Sequence, residues 1–372
     1  MLAESVVALG ADPAIYDPDA DAPARRRYAL GASKPYEDRA SLRAFLDACD
    51  VVTYEFENVP VEAIRAARSR VRMMPSLDVL AVCQHRGREK AAVRAAGAPT
   101  VAYLEVADRR ELVAALARFG PAIVKTSRGG YDGKGQRRYE RAAQVRAEHF
   151  PAGAPLVIEE TIAIEREVSC IVAVAEGRVV SLPLFENRHR NHILDVTLCP
   201  ARLSAAVARR IRSVAEKLAR ALRVEGLITV EFFLGRGRDG HGLRLPGLDA
   251  RLYVNELAPR PHNSGHVSRI ACDRSQFDLL ARALLGMPLV APRLVSKEVA
   301  FMTNLLGDGW PSAREEVAVF GALAARPEVR ELFLYGKQEA HAGRKMGHVS
   351  GFASSHARAL SVASALRRRA GL

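Results

Sequence analysis

The sequence predicts an α/β protein of more than one domain, with an α+β core, and three observations carry this. Over residues 1–76, Ala-rich stretches with helical spacing alternate with short apolar runs, the pattern of an open α/β sheet. Residues 154–185, "APLVIEETIAIEREVSCIVAVAEGRVVSLPLF", instead read as one strand after another, a run of antiparallel strands. And 372 residues are more than one hydrophobic core ordinarily organises.

Taken in order, Leu2, Val6 and Leu9 recur at i, i+4 and i+7 and predict a helix that Gly10 ends; Ile15 and Tyr16 follow as a short strand. In "DVVTYEFENVP", Val51, Val52, Tyr54 and Phe56 predict a strand that stops at a turn before Pro60, and "VEAIRAARSR" predicts the next helix. A helix over 86–96 ends at Gly97. Residues 112–139 read as helix, strand, glycine loop and strand, and residues 205–234 as a long amphipathic helix followed by a strand. From about Val295 a smaller segment mixes short strands with a final Ala/Arg-rich helix.

Hydrophobic residues make up 49% of the chain and charged residues 26%, values of a globular protein, and no run of about 18 uncharged apolar residues predicts a membrane span. The net charge of +13 comes largely from Arg on Ala-rich helices without interleaved aromatics, which argues against dedicated nucleic-acid binding. Cys49, Cys83, Cys170, Cys199 and Cys272 are odd in number and widely spaced, as expected of reduced thiols in a cytoplasm rather than of a disulfide or zinc framework. The N-terminus, with Glu4 and no basic region, does not resemble a signal peptide.

Four stretches carry candidate chemistry. "VKTSRGGYDGKGQ" places four glycines within seven residues after a strand, with Lys125 and Lys134 as cations; it is a β-hairpin turn or a loop whose backbone N–H groups cover phosphates. Glu231 and Glu256 lie on strand-like runs, with Asn255 beside the second, and either are sheet-edge acids or hold a hard cation such as Mg²⁺. Alternation along "YVNEL" puts Tyr253, Asn255 and Leu257 on one face and Val254 and Glu256 on the other. "NELAPRPHNSGH" crowds Arg260, His262, Asn263 and His266 into a proline-stiffened loop suited to an oxyanion or carboxylate, a surface loop being the other reading. "YGKQEAHAGRKMGHVS" gathers Lys337, His341, Arg344, Lys345 and His348, either as a solvated basic loop or as a seat for a monophosphate.

Together with "VVTYEFENVP" and "SQFDLLARALLGMPL", these stretches resemble, over nearly the whole chain, the N5-carboxyaminoimidazole ribonucleotide synthases, ATP-grasp ligases of purine biosynthesis. The resemblance implies a Rossmann-like pre-ATP-grasp domain over 1–76, an ATP-grasp domain over 77–294 with a lid over about 98–158, and a small C-terminal domain over 295–372. It implies ATP-dependent carboxylation of 5-aminoimidazole ribonucleotide with bicarbonate through carboxyphosphate. It further implies Mg²⁺, or Mn²⁺ in its place, a cytoplasmic homodimer and a transient mutase partner. Another ATP-grasp carboxylase or ligase, or a weakly active ATP-binding homologue, is the alternative.

By motif position, Arg86 and Lys125 are implied to contact ATP phosphates and Gly130, Tyr131, Asp132, Gly133, Lys134, Gly135 and Gln136 to cover them. The resemblance likewise implies that Glu159, Glu160, Thr161 and Ile162 are the hinge that holds adenine through its backbone, that Glu167 meets the ribose, and that His189 and Asn255 lie near the nucleotide. Glu231 and Glu256 bind the metal. Tyr131, Asp132 and Lys134 line the aminoimidazole site, with Asp132 a candidate base and Glu55 a further imidazole contact. His262 and Asn263 sit beside the carboxyphosphate, and Lys337, Arg344 and Lys345 hold the ribonucleotide phosphate, Lys345 also serving the reacting groups.

The family often carries Arg where this chain has Lys134, which keeps the charge but not a bidentate geometry. "GRGRDGHGLRLPGLDARL" reads as an extended hairpin tip. The family also begins with a strand and a glycine loop before its first helix; Met1 aligns near the end of that loop, so about a dozen residues are expected to be missing, and ribonucleotide handling is expected to suffer.

Overall fold

The computed structural model describes residues 1–130, 135–146, 155–237 and 241–371. In the first part, helices α1 (Leu2–Ala8), α2 (Pro23–Arg27), α3 (Arg39–Asp47), α4 (Val61–Ala67) and α5 (Leu77–Cys83) surround two parallel strand pairs. These are β1 (Ile15–Tyr16) with β2 (Gly31–Ala32), and β3 (Val51–Val52) with β4 (Arg72–Met73). The apolar run from Val51 to Phe56 is therefore a strand only at its first two residues. Beyond them Tyr54 turns inward, its hydroxyl donating to Pro75 O, while Phe56 is 59% exposed. Gln84 Nε2 donates to Glu57 O at 2.6 Å and to Val59 O at 2.7 Å, which holds this loop against the end of α5.

Helix α6 (Arg86–Ala95) leads into a small lobe built from β5 (Tyr103–Val106), α7 (Arg109–Phe119), β6 (Ala122–Thr126), β7 (Gln136–Tyr139) and β8 (Leu156–Glu160). Its sheet runs β5-β8-β6-β7, all antiparallel. Asp108 caps α7 by accepting from the Glu111 N–H at 2.8 Å, while the Glu111 carboxylate accepts from Ala107 N–H at 2.7 Å. That fixes where the helix starts and points Leu112 and Leu116 at Val124 and Ile158.

The large sheet gathers β9 (Ala163–Ala175), β10 (Arg178–Ser181), β11 (Phe185–Arg190), β12 (Ile193–Cys199), β13 (Gly226–Arg236), β14 (Leu243–Arg244), β15 (Arg251–Ala258), β16 (Val299–Leu306), β17 (Val329–Leu334) and β18 (Lys345–Ala353). Its order is β14-β15-β13-β9-β11-β12-β16-β18-β17, with β10 on β9. The C-terminal strands thus extend the central sheet.

Helix α8 (Ala205–Ala221) packs Val207, Ile211 and Leu218 onto Cys170, Val172 and Val174 of β9. On the opposite face α10 (Gln276–Leu284), which follows α9 (Ser268–Ala271), lays Phe277 and Leu280 with Leu2 of α1 over Ile171 and Ala173. Burial on both faces explains why "VSCIVAVA" is apolar at nearly every position and not at alternate ones. Helices α11 (Ala313–Ala324) and α12 (His356–Arg369) cover the β16–β18 end, where Leu366 and Val362 meet Phe301 and Val349.

Candidate active site

Strands β13 and β15 bring the predicted acids together through an irregularity. Val230 pairs with Leu257 and Phe232 with Val254, so Asn255 and Glu256 both face the single Glu231. This is a β-bulge, which adds a residue and re-aims the side chains beside it. Alternation predicted Leu257 beside Tyr253 and Asn255. The extra residue corrects that, and Leu257 joins Leu252 and Val254 in the core under α8.

Asn255 Nδ2 lies 3.5 Å from Glu231 Oε2, and His262 Nε2 lies 2.8 Å from Glu231 Oε1. Burial opposes the Glu231 charge, but His262, His189 and Asn255 hold its carboxyl down at about 2. Glu256 moves the other way, pushed up by burial and then by the neighbouring Glu231 charge. Two carboxylates in that relation fit a divalent cation placed between them. Among the described residues no third His, Cys, Asp or Glu completes a protein-only metal cage. Mg²⁺ suits such a pair, because it commonly takes its remaining ligands from water and substrate phosphates.

The small lobe supplies the cations. Lys125 leaves β6 next to β8, and its Nζ donates to Glu159 Oε2 at 2.9 Å. From α6, Lys90 Nζ reaches Glu159 Oε1 at 3.2 Å. Burial opposes the Glu159 charge, but the two ammonium groups hold its carboxyl at about 2. Arg86, the first residue of α6, donates from Nε to Thr126 O at 3.1 Å and from Nη2 to Gly130 O at 2.8 Å. Its Nη1 is 3.6 Å from Glu256 Oε2. One guanidinium therefore joins the stem of the glycine loop to the metal-type acid. Gly135 closes that stem at φ 71°, its carbonyl accepting from Thr126 N–H at 2.8 Å, and a Cβ there would stand 2.6 Å from Thr126 Oγ1. Tyr131, Asp132, Gly133 and Lys134 lie outside the described residues.

The predicted hinge runs from the end of β8 to the start of β9. Glu160 is buried and its N–H donates to Ala102 O at 2.9 Å. Thr161 Oγ1 donates to Pro121 O, and Thr161 and Ile162 lie outside any ladder. Glu167 and His189 meet at 2.6 Å between Oε2 and Nδ1, and Gln136 Nε2 lies 3.4 Å from His192 Nδ1.

The 260–266 loop is clamped by a residue that the sequence did not single out. Gln276 is fully buried; its Oε1 accepts from His262 N–H at 2.8 Å, and its Nε2 donates to His262 O at 2.8 Å and lies 3.0 Å from His266 Nδ1. His262 Nδ1 lies 2.8 Å from Ser264 Oγ. Asn263 exchanges amide hydrogen bonds with Asn304 of β16 at 3.1 and 2.6 Å. Arg260 pairs with Glu57 at 2.9 Å, which ties the loop to the N-terminal part.

Lys337 Nζ donates to Lys345 O at 2.7 Å and Arg344 Nη1 to Glu339 O at 2.8 Å. The structure thus brings Lys337, Arg344 and Lys345 together. Glu55 is exposed. Lys90, Glu57, Gln276 and Asn304 are the site residues that sequence reasoning missed. Glu57 and Gln276 lie within the quoted stretches "VVTYEFENVP" and "SQFDLLARALLGMPL", and Lys90 stands i+4 from Arg86, which puts both on one face of α6; Asn304 left no such signal.

A lobe that carries cations and a hinge, hung over a sheet that carries paired acids, is the arrangement of an ATP-grasp protein. Residues 91–277 match the ATP-grasp domain, residues 1–84 the ribonucleotide synthetase preATP-grasp domain and residues 300–361 the phosphoribosylaminoimidazole carboxylase C-terminal domain. The N5-carboxyaminoimidazole ribonucleotide synthase of Brucella melitensis is 37% identical, over 94% of this chain and 92% of its own length. That of Bacillus subtilis is 34% identical, over 94% and 87%. Among solved structures, the ADP complex of an N5-carboxyaminoimidazole ribonucleotide synthetase superposes with a TM-score of 0.87 at 33% identity, over 98% of this chain and 92% of that one. The Aspergillus clavatus N5-carboxyaminoimidazole synthase with ADP and 5-aminoimidazole ribonucleotide gives 0.86 at 26%, over 100% and 95%. The chain belongs to the N5-carboxyaminoimidazole ribonucleotide synthase family.

Glu159 makes a testable contribution to stability. Its carboxyl titrates at about 2 here, against an ordinary 4.5. A depressed carboxyl adds stability that is complete above the ordinary value and is lost as pH falls through the folded one. Glu159→Gln is therefore expected to flatten the fall in melting temperature between pH 4.5 and 2, measured by circular dichroism against wild type.

Proposed function

We propose that this protein carboxylates 5-aminoimidazole ribonucleotide, using ATP and bicarbonate and giving N5-carboxyaminoimidazole ribonucleotide, ADP and phosphate. The observation that carries this reading is the Arg86 bridge, which joins the stem of the glycine loop to Glu256, so that phosphate cations and metal-type acids face one cleft.

A bicarbonate oxygen attacks the γ-phosphorus and the bond to the β–γ bridging oxygen breaks, releasing ADP. The carboxyphosphate, or the CO₂ left when its C–O bond breaks and phosphate departs, then meets the exocyclic amine. The amine nitrogen bonds to carbon and loses a proton, and on direct attack the C–O bond to phosphate breaks in the same substitution, so that phosphate leaves by either route. Phosphoryl transfer spreads negative charge over oxygens that fixed cations stabilise. Arg86 and Lys125 suit that role; both come from rigid elements, and both already point at carbonyl or carboxylate oxygens. Glu231 and Glu256 would hold Mg²⁺ or Mn²⁺, which when bound neutralises phosphate oxygens.

His262 and Asn263 suit the carboxyphosphate, because Gln276 and Asn304 lock their loop. Carboxyphosphate must also be kept from water, a task for the small lobe as a lid. Lys337, Arg344 and Lys345 suit the ribonucleotide phosphate: burial and the other two cations bring Lys337 down to about 8, the signature of positive charge gathered ahead of an anion. Asp132, assigned as base, lies outside the described residues. The homodimer, the mutase partner and the cytoplasmic setting rest on family resemblance alone.

ADP release is expected to require both bicarbonate and 5-aminoimidazole ribonucleotide; release that another amine supports equally well would refute the assignment. Glu256→Gln is expected to lower turnover at least about 100-fold, a loss of the size seen when one charge-stabilising group is removed from an active site, with its melting temperature held. The Lys337 cation exists below about pH 8 and is lost above it, so KM for the ribonucleotide should climb above that pH. Lys337→Arg should keep its charge and abolish the climb.

A further inference from the structure

Glu159, at the start of the hinge, is held by two lysines where one would balance it. Lys125 Nζ lies 2.9 Å from one carboxylate oxygen and Lys90 Nζ 3.2 Å from the other. Lys90 is 2% exposed, Glu159 4% and Lys125 9%, so the three groups share one dry pocket, in which Lys90 also faces Glu89 and Lys125 also faces Glu256. The two lysines differ. Lys125 makes a directed hydrogen bond to Glu159, whereas the Lys90 ammonium makes none among the described residues; besides Glu159 it meets the Tyr103 ring, 6.0 Å from the centroid. A buried ammonium without a directed bond acts through its charge.

We propose that Lys90 is a positioning residue that releases Lys125 to the nucleotide: it stays on Glu159 as the counter-ion while Lys125 passes from Glu159 to the phosphates. This rests on the reading of Lys125 as a phosphate ligand. With Lys90 present, the departure of Lys125 leaves a balanced buried pair. Without it, that departure leaves a buried carboxylate uncompensated, the costly case for a buried ion pair, so Glu159 keeps its hold and competes with phosphate. The second cation on Glu159 is then what allows Lys125 to leave. Lys90 and Lys125 reach Glu159 from different elements, α6 and β6, so one can move without displacing the other.

The test is isothermal titration of ADP and, separately, of adenosine into the full chain and its variants, each checked for native circular dichroism. Lys90→Met is expected to weaken ADP at least tenfold and to leave adenosine within about threefold, since breaking a buried charge balance is costly and adenosine carries no phosphate. Lys90→Met/Glu159→Gln should bind ADP within about threefold of Glu159→Gln itself, because no carboxylate then holds Lys125 back. Lys125→Met is the control. If it binds ADP like wild type, the phosphate role of Lys125 fails and the proposal with it. If Lys125→Met is weak, three results each overturn the role of Lys90 alone: ADP affinity unchanged in Lys90→Met, an equal loss of adenosine, or a double variant at least tenfold weaker than Glu159→Gln. Should Lys90→Met not fold, Lys90→Gln takes its place, with the same expected loss of ADP affinity and the same three overturning results.

Discussion

A charge taken out of water must meet another charge or a set of hydrogen bonds, and the site is organised by that constraint. Glu159 lies between Lys125 and Lys90, Glu231 against His262 and Asn255, Glu167 against His189, and Glu57 against Arg260. In each case the partners come from different elements. The first three brace the small lobe against α6 and the central sheet against itself, and the last ties the N-terminal loop to the loop after β15. Arg86 belongs to the same scheme, since one guanidinium serves Thr126, Gly130 and Glu256. Its five donors in a rigid fork allow this; an ammonium at that position would lack the geometry.

Such pairs need a rigid frame. From Val168 to Ala175 strand β9 is buried between α8 on one side and α10 on the other, and β13 pairs with it in continuous register from Gly226 to Leu234. Within that frame the bulge at Asn255 and Glu256 is tolerated because Leu257 regains the core immediately after it. The local fault aims two polar side chains at Glu231. The clamp of Gln276 on His262 is similar in kind: a buried amide uses both its donor and its acceptor on one loop backbone, and α10 is packed too firmly to let it move.

Much of this was legible in advance. The helix over 86–96, the strand–glycine loop–strand over 122–139 and the antiparallel run from residue 156 were readable because capping residues, glycines and apolar spacing act within a few residues of themselves. The family motifs pointed to Arg86, Lys125, Glu231, Glu256 and His262; the structure pairs Arg86 with Glu256 and His262 with Glu231, and sets Lys125 on Glu159. The strand through Phe56 was over-read, because an apolar run does not say whether a partner strand lies beside it. Alternation at "YVNEL" failed for a related reason: a bulge is a property of two strands in register, and one strand alone carries no sign of it.

By itself the sequence determined the element types, the family, and which acids and cations were available, since those depend on local spacing and residue chemistry. Which of them touch was decided only by the tertiary structure. Lys125 and Glu159 are 34 residues apart, Asn263 and Asn304 are 41 apart, and Arg260 and Glu57 are 203 apart. The order of strands in the sheets and the helices laid across them set those pairings. The same packing gave Lys90 its place beside Glu159, for burial and charge balance are properties of an assembled interior and have no counterpart along the chain.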